Sequence, residues 1–175
     1  PIVYQYLKNG LNADLIFHCV EHTRWVVREV SKICEYENIE EKRASFIYLS
    51  ALCHDTGYVK MNNKNEPLGA EFAVGLMKKE GYNTDEINCV THCILETDPD
   101  VRCSSHESEI LSDADLGYIG TDGFLEWSNK LYKEYLNLGV ISGNKKEWIE
   151  IQIEFFLKHK YHSDFSKKYR LPTKM

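Results

Sequence analysis

Three short strings of this chain hold side chains able to bind a divalent cation: His18 and His22, the dipeptide His54-Asp55, and Asp113-Ala114-Asp115. Imidazole nitrogen and carboxylate oxygen form the donor set that suits zinc, iron, manganese or cobalt, and sites mixing the two often keep one position open for water. Water held there loses a proton far more readily than in bulk and becomes a nucleophile. On one helix, His18 and His22 would project from a single face one turn apart. Asp113 and Asp115 stand among the apolar Ile110, Leu111 and Leu116. An acid on the buried side of a helix is costly unless it is paired or bound to a cation.

Helical periodicity runs through almost the whole chain, and it supplies the elements that must position these groups. Asp14 is placed to cap a first helix whose apolar positions Ile16, Val20, Val26, Val27, Val30 and Ile33 lead to Tyr36-Glu37-Asn38. A second helix, from Glu40 to Asp55, stops at Thr56-Gly57, where glycine lets the backbone turn tightly. A third opens on Pro67 and closes at Gly81. A fourth runs from Thr84 to Glu96, and a fifth opens at Ser104 or Ser105 and passes through Leu116. A sixth covers 121–138 and a seventh 145–160. The fold class expected is all-α: a single-domain bundle of about seven helices over 1–175. Its metal-site core would occupy 14–120 and its C-terminal helices 121–170, with short linkers at 61–65 and 139–144.

A length of 175 residues suits one domain. The net charge of −6 argues against wide contact with a nucleic-acid backbone. No run of about 18 apolar residues suggests a membrane span. The string Pro1-Ile2-Val3-Tyr4 lacks the basic start and apolar run of a secretory signal. Six cysteines scattered through predicted helices read as reduced thiols, and a cytoplasmic protein is expected. Cys89 and Cys93 flank His92 without the second pair that a zinc knuckle needs. Gly117-Tyr118-Ile119-Gly120 follows no strand, so it is no phosphate cradle, and Ser104-Ser105 reads as a helix cap.

In order and spacing these strings resemble the HD superfamily. Phe17-His18-Cys19-Val20-Glu21-His22-Thr23, Ala51-Leu52-Cys53-His54-Asp55-Thr56-Gly57-Tyr58 and Asp113-Ala114-Asp115-Leu116-Gly117-Tyr118-Ile119-Gly120 are similar to those of its predicted metal-dependent phosphohydrolase branch, related to cyclic-nucleotide phosphodiesterases. The likeness spans Ile16 to Gly120, and the tail from Phe155 to Tyr169 is similar to that branch's ending. The resemblance implies an HD-type bundle in which His22, His54, Asp55 and Asp115 bind one or two divalent ions (Mn, Fe, Zn, Mg, Co or Ni), with Asp55 bridging where there are two. It prefers Asp115 to Asp113 as the ligand and leaves Asp113 to orient the site from behind. His18 is implied as general acid, catalytic together with Asp55. His92 falls where dinuclear members place extra histidines, so it is a candidate ligand for a second ion. His106 lies nine residues before Asp115, half a turn out of phase on one helix, and is expected behind the ligands. Lys60 and Arg24 are the candidates for substrate phosphate. No Gly-Tyr-Pro follows His-Asp, which argues against the cyclic-dinucleotide branch.

The implied function is hydrolysis of a nucleotide or other small phosphoester by a metal-activated water. Two readings compete: a di-iron oxygenase, which needs His92 and His106 as ligands, and a non-catalytic metal- or nucleotide-binding protein. The partners expected are a small phosphorylated substrate, no nucleic acid and no membrane, with a homodimer as the assembly considered.

Overall fold

The computed structural model describes residues 2–61 and 64–174. These residues form ten α-helices and no strand: α1 (Ile2–Gly10), α2 (Val20–Tyr36), α3 (Glu41–Cys53), α4 (Glu66–Lys79), α5 (Thr84–Leu95), α6 (His106–Asp115), α7 (Phe124–Asn137), α8 (Lys145–Lys158), α9 (Asp164–Tyr169) and α10 (Leu171–Lys174). Short 3-10 turns at His54–Val59 and Gly117–Gly120 follow α3 and α6 directly. The count exceeds the seven expected because α1, α9 and α10 are short, at 9, 6 and 4 residues, and give too little periodicity to read. The linker expected at 61–65 falls partly outside the described residues, at Asn62 and Asn63, as does Pro1 of the N-terminal string.

The helix starts follow capping chemistry where the sequence offers it. The Glu40 carboxylate accepts from the N–H groups of Lys42 and Arg43, and Asn83 and Glu86 cap α5 reciprocally. Ser105 with Ser108 does the same for α6. The exception is α2, which begins at Val20 and not at Asp14. Ahead of it the chain is irregular, with Cys19 extended at φ −119° and ψ 174°. Glu134 of α7 causes this, because its Oε2 accepts from the N–H groups of Phe17 (2.7 Å) and His18 (3.0 Å), donors that an earlier helix would direct along its own axis. His18 therefore stands before α2, not one turn from His22 on the same helix.

Helix α3 lies between two apolar clusters. Ala44, Ile47 and Ala51 pack with Val26, Val30 and Ile33 of α2 and with Ile110 and Leu111 of α6. Cys53 packs with Val3 and Leu7 of α1, Ala73 and Met77 of α4, and Val90 and Ile94 of α5. A third cluster, Phe17, Tyr118, Ile119 and Trp127, fills the end nearest the 3-10 turn at Gly117–Gly120. Gly57 is required where α3 gives way to its 3-10 turn, since a Cβ there would lie 1.9 Å from the backbone oxygen of Asn65. Among the described residues no helix is long and apolar enough to cross a membrane. All six cysteines are free.

After α8 the chain doubles back along α6 and α2. The buried Asp113 accepts from the N–H groups of His162 (3.0 Å) and Ser163 (2.8 Å) and from the Ser163 hydroxyl (2.6 Å). Glu37 accepts from the N–H groups of Asp164 (2.7 Å) and Phe165 (3.2 Å), and Arg170 pairs with the buried Glu29. Asp113→Ala leaves these buried donors unmatched, so it should cost about 3 kcal/mol. Calorimetry should show the melting temperature falling by roughly 6 to 12 °C. An unchanged melting temperature would contradict the anchoring role.

Candidate metal centre

Four side chains meet where α2, α3 and α6 converge. His22 comes from the first turn of α2, His54 and Asp55 from the turn ending α3, and Asp115 from the last position of α6. His22 Nε2 lies 2.8 Å from Asp115 Oδ1 and 3.5 Å from Asp55 Oδ2. His54 Nε2 lies 3.1 Å from Asp55 Oδ2 and 3.7 Å from Asp115 Oδ1. Ligand atoms of His22, His54 and Asp115 all fall within 4.8 Å of one another. A cation with arms of about 2.0 to 2.2 Å gives ligand-to-ligand edges of roughly 3 to 3.5 Å, a range that the imidazole-to-carboxylate spacings of 2.8 to 3.7 Å bracket.

The hydrogen bonds test the fit. His54 Nδ1 donates to the carbonyl of Ala51 at 2.8 Å, which assigns the tautomer and leaves a lone pair on Nε2. That Nε2 and Asp55 Oδ2 are both buried without a hydrogen-bond partner, as is His22 Nδ1. An imidazole lone pair facing two carboxylates is acceptor against acceptor, and only a shared positive charge, metal ion or proton, relieves it. The residues present thus fit a divalent cation. Burial works against charge on His54, but the carboxylates of Asp55 and Asp115 outweigh it and hold its pKa well above the ordinary histidine value. Burial likewise works against charge on Asp55 and Asp115, and the facing imidazoles outweigh it, holding both carboxyls below the usual carboxylate range.

Beside this cluster His18 is held by two residues. Its Nδ1 bonds to Glu134 Oε1, whose other oxygen already holds the His18 N–H. Its ring stacks on Tyr58 with centroids 4.2 Å apart. The Tyr58 hydroxyl is 3.3 Å from His18 Nε2. Burial works against the imidazolium, but the hydrogen bond to Glu134 and the nearby charges of Asp55, Glu134 and Asp115 together outweigh it and raise its pKa. The His18 side chain is 17% exposed.

The other candidates lie elsewhere. Asp113 and Asp115 are two residues apart on α6, so they point in nearly opposite directions. Asp115 reaches His22, while Asp113 binds the returning C-terminal segment and neither orients nor touches the cluster. His92 is 57% exposed and engaged by Glu96 (2.9 Å) and Ser104 (2.8 Å). His106 bonds to Glu37 and Glu109. Both are held by acids of their own neighbourhood, and neither is among the ligand atoms that cluster with His22, His54 and Asp115. Lys60 faces Glu71 at 3.6 Å and Arg24 faces Glu21 at 3.7 Å, so both side chains expected on phosphate have acidic partners of their own.

Sequence reasoning missed Glu134 and Asn65. Glu134 follows Trp127 and Leu131 at helical spacing on α7, so an acid on an apolar stripe was the signal, the same one that marked Asp115. Asn65 reaches back to the carbonyl of His54 (3.3 Å) and to Asp55 Oδ1 (3.5 Å), a contact that no local pattern announces. Comparison with protein-family models, curated proteins and solved structures finds no match to this chain.

A histidine whose folded pKa exceeds its unfolded value of about 6.5 stabilises the fold below that pH and loses the contribution as pH rises through the folded value. Metal competes for the same nitrogen and binds better as the proton leaves. Chelator-treated protein should therefore lose melting temperature from pH 6.5 upward, while the gain on adding manganese or zinc grows over the same interval. A metal-induced gain that is flat in pH would count against His54 as a ligand.

Proposed function

We propose that this chain is a metal-dependent phosphohydrolase of the HD type, acting on a nucleotide or other small phosphoester. The observation that carries this reading is the pairing of a cation-demanding His-Asp cluster with His18, a partly exposed histidine oriented by Glu134. Phosphoester hydrolysis needs positive charge against the phosphoryl oxygens and a proton for the departing oxygen.

His22, His54 and Asp115 would hold the ion, and Asp55 would complete the set through its unpartnered Oδ2. A divalent cation bound there supplies Lewis-acid charge and lowers the pKa of water. Glu134 accepts the Nδ1 proton of His18 and so directs Nε2–H outward. The hydrogen bond to Glu134 favours the protonated ring, whose Nε2 proton is the one the leaving oxygen would take. Tyr58 limits the ring to one plane. Asn65 donates to Asp55 Oδ1 and leaves Oδ2 facing the imidazoles.

The test is turnover of a panel of nitrophenyl phosphomonoesters and phosphodiesters with manganese, iron, zinc, magnesium, cobalt or nickel. Asp55→Asn should abolish turnover with the fold retained. His18→Ala should lower kcat by roughly 10² to 10⁴ while bound metal is unchanged. In Glu134→Gln the His18 pKa drops, so the alkaline limb of the pH profile moves to lower pH. No turnover across the panel with every metal would sink the proposal.

A further inference from the structure

Apart from the His-Asp cluster, a cleft of about 410 Å³ opens where the end of α2, the start of α6 and the returning C-terminal segment meet. Glu37, Asn38, His106, Glu109, His162 and Asp164 line it, and its lining contains no lysine or arginine. The cleft shares no residue with His22, His54, Asp55 and Asp115.

His106 has both ring nitrogens against carboxylates. Nε2 lies 2.8 Å from Glu37 Oε2, and Nδ1 lies 3.3 Å from Glu109 Oε2. A neutral imidazole has one N–H, so once Glu37 accepts it the lone pair on Nδ1 faces an acceptor. His162 Nδ1 stands 3.7 Å from the other oxygen of Glu109. Two imidazoles thus bracket one carboxylate, and a second carboxylate stands behind the first imidazole. That is the arrangement in which histidine ligands are oriented on zinc.

We propose that His106 Nδ1, Glu109 and His162 Nδ1 form a second, surface site for a transition metal of the zinc class, with Glu37 fixing the His106 ring. The nitrogen-to-oxygen spacings of 3.3 and 3.7 Å bracket the edge of about 3.4 Å that a tetrahedral zinc site has. The two imidazoles stand on opposite oxygens of Glu109, so with Glu37 holding the His106 ring one shared ion requires the Glu109 and His162 side chains to turn toward it. His106 is 40% exposed, Glu109 36% and His162 37%, which leaves Glu109 and His162 room to turn and gives the ion access from solvent. The backbones beneath them are fixed. His106 opens α6, the His162 N–H is held by Asp113, and Glu37 Oε1 holds the N–H groups of Asp164 and Phe165. With two nitrogens and a carboxylate, water fills the remaining position. The bound ion clips the C-terminal segment to α6, the helix that ends in Asp115.

The experiment is zinc stoichiometry by direct metal analysis after equilibrium dialysis of the tag-free protein. It is repeated on His106→Ala, His162→Ala, Glu109→Gln and Asp115→Ala, with the zinc-induced rise in melting temperature followed in parallel. Each of the first three variants is expected to lose one equivalent of zinc and part of the thermal gain. The side chain removed in His162→Ala is not the group that Asp113 holds, and Glu109→Gln alters a charge without shortening the chain, so one of these reports even where another fails to fold. Asp115→Ala separates the two sites. If it leaves the zinc count unchanged while His162→Ala lowers it, the His-Asp cluster is not a zinc site and the surface site stands. Wild-type zinc content in His106→Ala, His162→Ala and Glu109→Gln alike would overturn the proposal.

Discussion

Two carboxylates and two imidazoles buried together at the junction of α2, α3 and α6 demand a shared positive charge, and the rest of the architecture follows from meeting that demand. The carbonyl of Ala51 takes the one proton that His54 could have turned toward the acids, so His54 Nε2 faces Asp55 Oδ2 as lone pair against lone pair. In water such a contact costs little. In a site where His22 and His54 are each 1% exposed, it has no solvent to relieve it. Protons can supply the charge, which is why the metal-free His54 is held so far toward its protonated form. A divalent cation would supply it by taking those lone pairs as its ligands.

Position follows from how the helices end. α3 is packed on two sides, and its final residues inherit that rigidity. The close approach of Asn65 to Gly57 then folds the following turn back so that His54 and Asp55 both face inward. α6 ends on Asp115 and carries Asp113 two residues earlier on the opposite side, bound to the C-terminal segment. One short helix thus joins the cluster to the last part of the chain, and the register of either fixes the other.

The all-helical class was legible from apolar spacing, and caps marked by local chemistry, Ser105 on α6 among them, lay close to where the structure has them. That Asp113 and Asp115 needed a partner was legible because acids among Ile110, Leu111 and Leu116 need a reason to be there, while the preference for Asp115 came from the family resemblance. What the sequence did not reveal is long-range. His18 was read onto a helix with His22 because the apolar spacing runs continuously through 16–33. The competing influence, Glu134, lies 116 residues away and appears in no local window. His92 was placed near the metal site by the family resemblance and His106, half a turn out of phase with Asp115, behind the ligands, while their partners in the structure, Glu96 and Glu37, are marked by no local pattern.

The irregular segments share one device. Glu134 holds the amides of Phe17 and His18, Asp113 those of His162 and Ser163, Glu37 those of Asp164 and Phe165, and Glu96 that of Ser104. In each case a carboxylate on or beside a helix satisfies backbone donors that neither a helix nor a sheet supplies with partners, through charge-assisted hydrogen bonds stronger than neutral ones. An acidic chain of net charge −6 therefore uses part of its negative charge to set its loops. The candidate acid His18 sits on one of those loops. The same carboxylate that shapes its backbone also takes its Nδ1 proton, so the fold of the segment and the direction of Nε2 are decided by a single side chain.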